Sequence, residues 1–256
     1  VANRIADARF EIDGEAFDVP ANEGANALHS GPDGFEQVVW DVTAEDGELV
    51  FRHTAPAGER GYPGHLDVAV RASVTDRELR VVFVAFTDAP TPVNLTQHGY
   101  WNPTGLFAVP IDGLTLQSPA DRYTAVGPDR IPTGESPSVE NTVYDFREAR
   151  PIGPDAVDIN LLVPGDGLRE MAVLSGGSNR ITVLSDYPGL QVFTGEALEG
   201  VPGLVARGAL ALEPQYPPDA VNQPVDGNDT ILRPGHIYRH TLLYRFDTVS
   251  LGDDAE

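Results

Sequence analysis

The sequence predicts an all-β protein, a large antiparallel β-sandwich with few or no helices. Apolar and polar residues alternate with the two-residue period of strands in many short segments. No stretch shows several turns of helical apolar spacing free of proline and glycine. The 26 glycines and 22 prolines suit the many turns that join such strands. Because no helices are predicted to cover the sheets, the sheets must pack against each other.

Three pairs of apolar segments are predicted to form hairpins. In the first, Asp13-Gly14 accepts the positive φ angles of a type I′ turn. A long final strand is predicted for residues 236–246. The predicted hairpin pairs are residues 8–12 with 15–19, 66–74 with 79–86, and 181–184 with 190–193.

The chain is predicted to form one domain. Sandwiches of 256 residues are often single units, and no low-complexity linker divides this sequence. We expect the β-sandwich domain to span residues 1–249. A small acidic tail, residues 250–256, is expected to be frayed.

The charge excludes several partners. The net charge is -22, and all 17 basic residues are arginine. Such a surface repels phosphate backbones and anionic lipid, so we expect neither a nucleic-acid nor a membrane partner.

The chain has no cysteine, which excludes disulfides, thiolate metal sites and a cysteine nucleophile. We expect a cytoplasmic monomer or homodimer, with a periplasmic or secreted location left open.

No metal or cofactor is predicted. His236 and His240 are four residues apart, but in a strand this separates them by roughly 13 Å, too far for one ion. The zinc-protease, EF-hand, P-loop and dinucleotide-binding signatures are all missing. The nucleophile elbow of serine hydrolases is missing as well.

Two segments concentrate polar residues at the ends of apolar strands. Residues 91–102 combine amides, His98 and two aromatic residues, a mixture that suits either a structural strand end or a sugar pocket. Glu213 ends an apolar run and is followed by four prolines, which stiffen the backbone around it. A carboxylate at such a position is exposed, paired or functional. Partial burial would raise its pKa toward that of a useful base.

Seven ordered segments resemble the aldose 1-epimerase (galactose mutarotase) family. They extend over nearly the whole chain at compatible spacings, which makes the combined resemblance highly specific. The segments are Asn3-Arg4-Ile5-Ala6, Leu28-His29-Ser30-Gly31-Pro32, Gly61-Tyr62-Pro63-Gly64, residues 91–98, Tyr144-Asp145-Phe146-Arg147, residues 191–195, and Glu213-Pro214-Gln215 with residues 218–224.

The resemblance implies a sugar groove across one curved sheet and a reaction that needs no cofactor. Glu213 matches the family's general base and His98 its general acid. These two roles suffice to open and reclose the hemiacetal of an aldose. The base should be shielded from water, and the acid should carry a proton at the start. The residues expected to hold the sugar are Asn3, Arg4, His29, Trp101, Asp158 and Gln191.

Several positions depart from the family pattern and are expected to cluster at the pocket. They leave the range of substrates open, whereas the acid–base pair is intact. The resemblance also implies further strands before the segment that begins at Asn3. The departures are Ser30 for glycine, His65 and Gln97 for asparagine, Trp101 for phenylalanine, and Ile159 for the histidine that usually follows the aspartate.

The sequence therefore predicts an isomerase that interconverts the α and β anomers of a free aldose. One alternative is another epimerase, lyase or cyclisation enzyme on the same scaffold, acting on a modified sugar or a non-sugar hemiacetal. A second is a non-catalytic carbohydrate-binding module, against which the intact Glu213 and His98 argue. A phosphorylated substrate is disfavoured by the acidic charge.

Overall fold

The computed structural model describes residues 1–224 and 230–248, so the predicted tail, residues 250–256, lies outside the described residues. Within these ranges the regular structure consists of β-strands and single turns of 3-10 helix. The 3-10 turns are Ala6–Ala8, Glu59–Gly61, Ile111–Gly113 and Glu196–Leu198. The strands are β1 (Arg4–Ile5), β2 (Arg9–Ile12), β3 (Glu15–Asp18), β4 (Ala27–Leu28), β5 (Asp41–Glu45), β6 (Glu48–Ala55), β7 (Leu66–Val74), β8 (Glu78–Thr87), β9 (Thr91–Pro92), β10 (Tyr100–Trp101), β11 (Thr115–Gln117), β12 (Arg122–Tyr123), β13 (Arg150–Pro151), β14 (Asp158–Leu162), β15 (Arg169–Gly176), β16 (Asn179–Ser185), β17 (Gly189–Phe193), β18 (Leu210–Gln215), β19 (Ile231–Leu232) and β20 (Tyr238–Thr248).

Two antiparallel sheets form the body of the protein. The larger has nine strands in the order β13-β11-β15-β16-β20-β8-β7-β6-β5, and the smaller has five in the order β10-β18-β17-β14-β12. Three two-stranded sheets, β1-β4, β2-β3 and β9-β19, complete the described fold. The prediction of a large antiparallel β-sandwich is confirmed.

The hydrophobic core lies between the two sheets. Leu212 of β18 and Val192 of β17 pack in one cluster with Val183 of β16 and Leu242 of β20. All four side chains are essentially inaccessible to solvent. Alternation along each strand therefore directs one set of residues into the core and leaves the other set on the outer face of the sheet.

The first two predicted hairpins are confirmed. Strand β2 pairs with β3 through Asp13 and Gly14, whose φ angles of 53° and 85° fit the predicted turn. Strands β7 and β8 pair along their whole length. The predicted final strand, residues 236–246, is observed as β20, two residues further along the chain.

The third predicted hairpin is wrong. Strand β16 pairs with β15 and β20 in the nine-stranded sheet, whereas β17 pairs with β14 and β18 in the five-stranded sheet. The chain between them crosses from one sheet to the other. Tyr187, which would lie at the exposed tip of a hairpin, is fully buried, and its hydroxyl donates to the carbonyl of Leu95 at 2.6 Å.

The N-terminal segment is joined to the loop that follows β18. The amide of Ala6 donates to the carboxylate of Asp219 at 3.0 Å, and the amide of Asp219 donates to the carbonyl of Arg4 at 2.8 Å. Strand β1 in turn pairs with β4. These bonds bring Asn3, Arg4 and His29 to the same end of the molecule as the last residues of β18, which include Glu213.

Candidate active site

The register of the five-stranded sheet places polar side chains in one row. Asn160 of β14 pairs with Gln191 of β17, which pairs with Glu213 of β18. Paired residues on neighbouring strands share a face, so these three side chains lie side by side. Their neighbours Leu212 and Val192 belong to the core, so the row lies on the face of the sheet away from the core.

A loop after β9 brings His98 to this face. Asn94 and Tyr216 exchange two hydrogen bonds, at 3.2 and 3.1 Å, and the hydroxyl of Thr96 donates to the carbonyl of Pro214 at 2.8 Å. The loop is thus fastened along the end of β18. His98 Nε2 lies 3.4 Å from Glu213 Oε1. The Glu213 side chain is 2% exposed and that of His98 is 35% exposed, so solvent reaches the pair from the histidine side.

Burial decides which member of the pair holds a proton. Burial, assisted by the negative charge of Asp158, raises the pKa of Glu213 from 4.5 to about 8. Burial also lowers the pKa of His98, although Asp158 opposes that shift. At neutral pH the free protein therefore holds a proton on Glu213 and a neutral imidazole. Glu213 is shielded as expected, whereas His98 is neutral in the free protein and would have to gain its proton before the reaction starts.

Asp158 and Gln191 form a second polar pair beside the first. Gln191 Nε2 donates to Asp158 Oδ1 at 2.6 Å. The other carboxylate oxygen of Asp158 forms an ion pair with Arg130. Gln191 is buried and stands next to Glu213 across the strands, so Asp158 is tied to the acid–base pair through one side chain.

The N-terminal residues form one wall of the groove. The amide of Asn3 donates to Nδ1 of His29 at 3.2 Å, and the His29 and His98 rings meet edge to face at 5.5 Å. Burial lowers the pKa of His29 to about 4, and repulsion from His98, when that ring is protonated, lowers the pKa further, so His29 is neutral. Arg4 was expected to hold the sugar. Its guanidinium instead binds the carboxylate of Glu23, at 2.5 and 2.8 Å.

Trp101 does not line the groove, and that expectation is corrected. Tyr100 pairs with Ala211 and shares the face of Glu213, whereas Trp101 pairs with Leu210 and takes the core face. Its ring packs on Tyr244 of the opposite sheet, with centroids 4.7 Å apart.

The other departures from the family pattern do not all lie at the pocket, contrary to expectation. Ile159 belongs to the core cluster. His65 Nε2 lies 3.4 Å from Asp67 near the start of β7. Two departures do lie beside the acid–base pair. Ser30 follows His29 directly and lines the same cavity as His98, and Gln97 directly precedes His98.

Several site residues were missed by the sequence reasoning. Tyr100 lies between His98 and Phe193, with ring centroids 5.2 and 6.3 Å away. Tyr100 and Phe193 occupy strand positions that alternate with core residues. This pattern could have identified them only if the face of the strand that each residue takes had been known. Glu23 and Arg130 lie in loops and are revealed by the ion pairs they form with Arg4 and Asp158.

The row of polar side chains, together with Gln215 two residues after Glu213 on the same face of β18, contains buried atoms that have no hydrogen-bond partner in the described part of the protein. Buried polar groups are normally paired, so a cluster of such atoms on one face indicates a place for a ligand with many donors and acceptors. A hydroxylated ring meets that requirement. The atoms are Glu213 Oε2, Gln191 Oε1, Asn160 Nδ2 and Gln215 Oε1.

A cavity of about 410 Å³ opens beside His98 and is also lined by His29, Phe35 and Tyr100. This volume falls within the roughly 300–1,000 Å³ usual for small-molecule sites. A separate cavity of about 710 Å³ is lined by residues that include His240, and His98 does not contribute to it. Buried Glu213 lines neither cavity and is reached through its contact with His98. We place the candidate site where the acid–base geometry lies rather than in the more voluminous cavity.

Two kinds of feature are absent from the described ranges. No group of three or more metal-ligating side chains was found there. No helix in those ranges has the length and apolar character required to cross a bilayer.

Comparison with known proteins gives consistent matches along the chain. The family model described as aldose 1-epimerase matches residues 1–245. The galactose mutarotase of Bos taurus is 35% identical over 262 residues, covering 96% of this chain and 76% of that protein. The aldose 1-epimerase of Escherichia coli (strain K12) is 32% identical over 271 residues, covering 96% of this chain and 77% of that protein.

Solved structures show the same fold. The GalM/aldose epimerase homologue from C. elegans matches with a TM-score of 0.90 at 27% identity, covering 98% of this chain and 81% of that chain. The galactose 1-epimerase from Lactobacillus acidophilus NCFM matches with a TM-score of 0.84 at 24% identity, covering 97% and 78%. Together with the family match over residues 1–245, these similarities establish that the chain belongs to the aldose 1-epimerase family.

Proposed function

We propose that this chain is an isomerase that interconverts the α and β anomers of a free aldose. The observation that supports this most directly is the contact of His98 with buried Glu213, at 3.4 Å, beside a row of unpaired polar atoms. The relatives named galactose mutarotase and aldose 1-epimerase point to the same reaction. The proposed partner is a small-molecule sugar, and we retain the cytoplasmic location as part of the proposal.

The acid–base pair must first adopt its reactive protonation state. The free pair holds its proton on Glu213, because burial disfavours both the carboxylate and the imidazolium. A sugar hydroxyl that donates to the unpaired Oε2 of Glu213 would stabilise the carboxylate. The proton can then pass to Nε2 of His98, 3.4 Å from the other carboxylate oxygen. Binding of the sugar thus converts a neutral pair into a base and an acid.

The reaction then needs two proton transfers. Glu213 takes the proton of the C1 hydroxyl, and His98 gives its proton to the ring oxygen. The C1–O5 bond breaks as the C1–O1 bond becomes a carbonyl. Rotation about C1–C2 presents the other face of the aldehyde, and the ring recloses with the two roles reversed. Each group contributes about 10²–10⁴ in rate, the usual range for positioned acids and bases.

The surrounding residues are proposed to hold the ring. Asp158 and Gln191 offer oxygens to sugar hydroxyls, and neutral His29 offers its remaining ring nitrogen. Tyr100 and Phe193 provide apolar faces for the C–H groups of the sugar. Arg4 and Asn3 are proposed to act from behind this layer, since the Arg4 guanidinium is occupied by Glu23 and Asn3.

The charges of the groove favour a neutral sugar. Arg4 is paired with Glu23, and Arg130 is paired with Asp158. These pairs leave no surplus positive charge to bind a phosphate group, which usually requires one or more unpaired cations. We therefore propose a free aldose as substrate rather than a sugar phosphate.

The test is exchange between anomers measured by NMR on glucose, galactose and xylose. Wild type should accelerate exchange of at least one sugar, and Glu213→Gln and His98→Gln should each lower that acceleration by about 10²-fold or more. Equal rates for wild type and Glu213→Gln with every sugar would refute the proposal. A pure binding module would shift the sugar resonances without accelerating exchange.

A further inference from the structure

Arg130 lies in a tight turn formed by residues 127–131. The amide of Gly127 donates to the carbonyl of Ile131, and the amide of Arg130 donates to the carbonyl of Gly127, both at 2.9 Å. Arg130 has a φ of 61°, a left-handed conformation that non-glycine residues rarely adopt. Such backbone strain often persists where a side chain is held for function.

The turn is fastened from behind. The amide of Thr133 donates to the carbonyl of Ala125 at 2.9 Å. Gln223 Nε2 donates to the carbonyl of Pro132 at 3.0 Å and to the carboxylate of Asp219 at 3.1 Å. Since Asp219 also holds the N-terminal segment, the turn is braced against the same framework as Asn3. The backbone that carries Arg130 is therefore held by hydrogen bonds within the turn and from Gln223.

The contact of Arg130 is with a residue of the proposed site. Its Nη1 pairs with Asp158 Oδ2, while Asp158 Oδ1 accepts from Gln191. Arg130 is 51% exposed and Asp158 is 18% exposed, so the pair spans the rim of the groove. In the ranges that the structure describes, Arg130 forms the only ion pair found for Asp158.

Asp158 is also the charge that reaches the acid–base pair. Its carboxylate contributes to the raised pKa of Glu213 and opposes the lowered pKa of His98. Arg130 is the nearby cation that offsets this charge. The other titratable groups that interact electrostatically with Asp158 or Glu213 are His98, Tyr100, Tyr144 and, from the opposite sheet, Tyr244. Glu23 interacts with Arg130 itself.

We propose that Arg130 is a positioning residue that holds Asp158 as an acceptor for a sugar hydroxyl and balances its charge beside Glu213 and His98. The inference rests on the proposed function and extends it to a residue that acts through another. Arg130 can do so because the turn fixes its backbone and Asp158 occupies one end of its guanidinium. No contact with the reacting atoms is required of it.

Removal of Arg130 should shift the pH dependence of activity in one defined direction. The loss of a merely structural contact would not produce such a shift. The uncompensated Asp158 carboxylate would further disfavour ionised Glu213 and favour protonated His98, so both pKa values would rise. The pH profile of kcat/KM should therefore move to higher pH, by about half a unit. The loss of a charge-assisted contact to Asp158 should also raise KM, by about tenfold.

The experiment compares Arg130→Ala, Arg130→Lys and Arg122→Ala by NMR anomer exchange from pH 5.5 to 9. Arg122 is a matched control, because it is an exposed arginine of β12 whose Nε donates to the carbonyl of Ser136. Arg130→Lys should recover part of the loss, and Arg122→Ala should behave as wild type. In an Asp158→Asn background, Arg130→Ala should have no further effect, since its partner charge is gone.

Sugar affinity, measured by NMR titration on the same samples, separates the two proposals. If wild type accelerates exchange but Arg130→Ala leaves KM and the pH profile unchanged, the role of Arg130 is refuted and the proposed function stands. If wild type accelerates no exchange, the proposed function fails. In that case the affinity still decides on Arg130, because equal affinity for wild type and Arg130→Ala would overturn the inference.

Discussion

Replacement of Glu213 by glutamine should stabilise the protein while abolishing its activity. Glutamine has nearly the same shape as glutamate but does not ionise. The Glu213 carboxyl is 2% exposed, and one of its oxygens has no partner in the described part of the protein. Ionising such a group costs free energy that the variant avoids. A site residue that destabilises the fold is a familiar form of the trade-off between stability and activity.

The magnitude follows from the raised pKa. The unfolded chain releases the proton near pH 4.5, and the folded protein releases it near pH 8. Between these values the folded state binds the extra proton, so the stability of wild type falls as pH rises and levels off above pH 8. At about 1.4 kcal/mol per pH unit, the cost reaches about 3 kcal/mol at pH 7.

The assay is urea unfolding followed by circular dichroism at pH 4.5, 7 and 8.5. The free energy of unfolding of Glu213→Gln minus that of wild type should grow by about 3 kcal/mol between pH 4.5 and pH 7. The exposed Glu135→Gln variant serves as control and should show no such growth. An equal difference at every pH would mean that Glu213 ionises in the folded protein at the same pH as in the unfolded chain, and would refute the reasoning.

Three further predictions concern the frame of the site. Trp101→Ala should lower the free energy of unfolding by about 3 kcal/mol in urea titrations, because the Trp101 ring packs on Tyr244, and KM should stay unchanged. A raised KM would indicate that Trp101 does line the pocket. Tyr187→Phe should cost about 1–2 kcal/mol, since the carbonyl of Leu95 loses its donor, and an unchanged midpoint in urea would contradict this. With a net charge of -22, the thermal midpoint should rise between about 0.01 and 1 M NaCl, as the screening length falls from about 30 to about 3 Å. A constant or falling midpoint would argue against dominant self-repulsion.

Local signals predicted the strands well and the sheets less well. Asp13-Gly14 fixes its own turn geometry, so the first hairpin could be recognised from two residues. The two-residue period does not tell which sheet a strand joins. The segment around Tyr187 therefore looked like a hairpin tip, although it is a buried crossover between the sheets.

The candidate site could likewise be predicted only in part from the sequence. Neither His98 nor Glu213 could be placed beside the other from local sequence, because more than a hundred residues separate them. The family resemblance suggested the pair, and the register of β18 and the loop after β9 explain how the chain brings the two side chains together. Trp101 was assigned to the wrong face because β10 is two residues long, too short for its phase to be read. Arg130 was missed because no periodic pattern marks a turn residue whose importance lies in an ion pair.

The three-strand row of Asn160, Gln191 and Glu213 has a consequence for how this protein can vary. Alternate residues of the same strands line the groove and the core, so both surfaces depend on one strand register. The insertion or deletion of one residue within β17 would exchange Gln191 with a core neighbour, and both surfaces would be lost together. Changes in length are therefore confined to the connecting segments, such as the turn around Arg130. Substrate range can be altered there without shifting the chemistry beneath it.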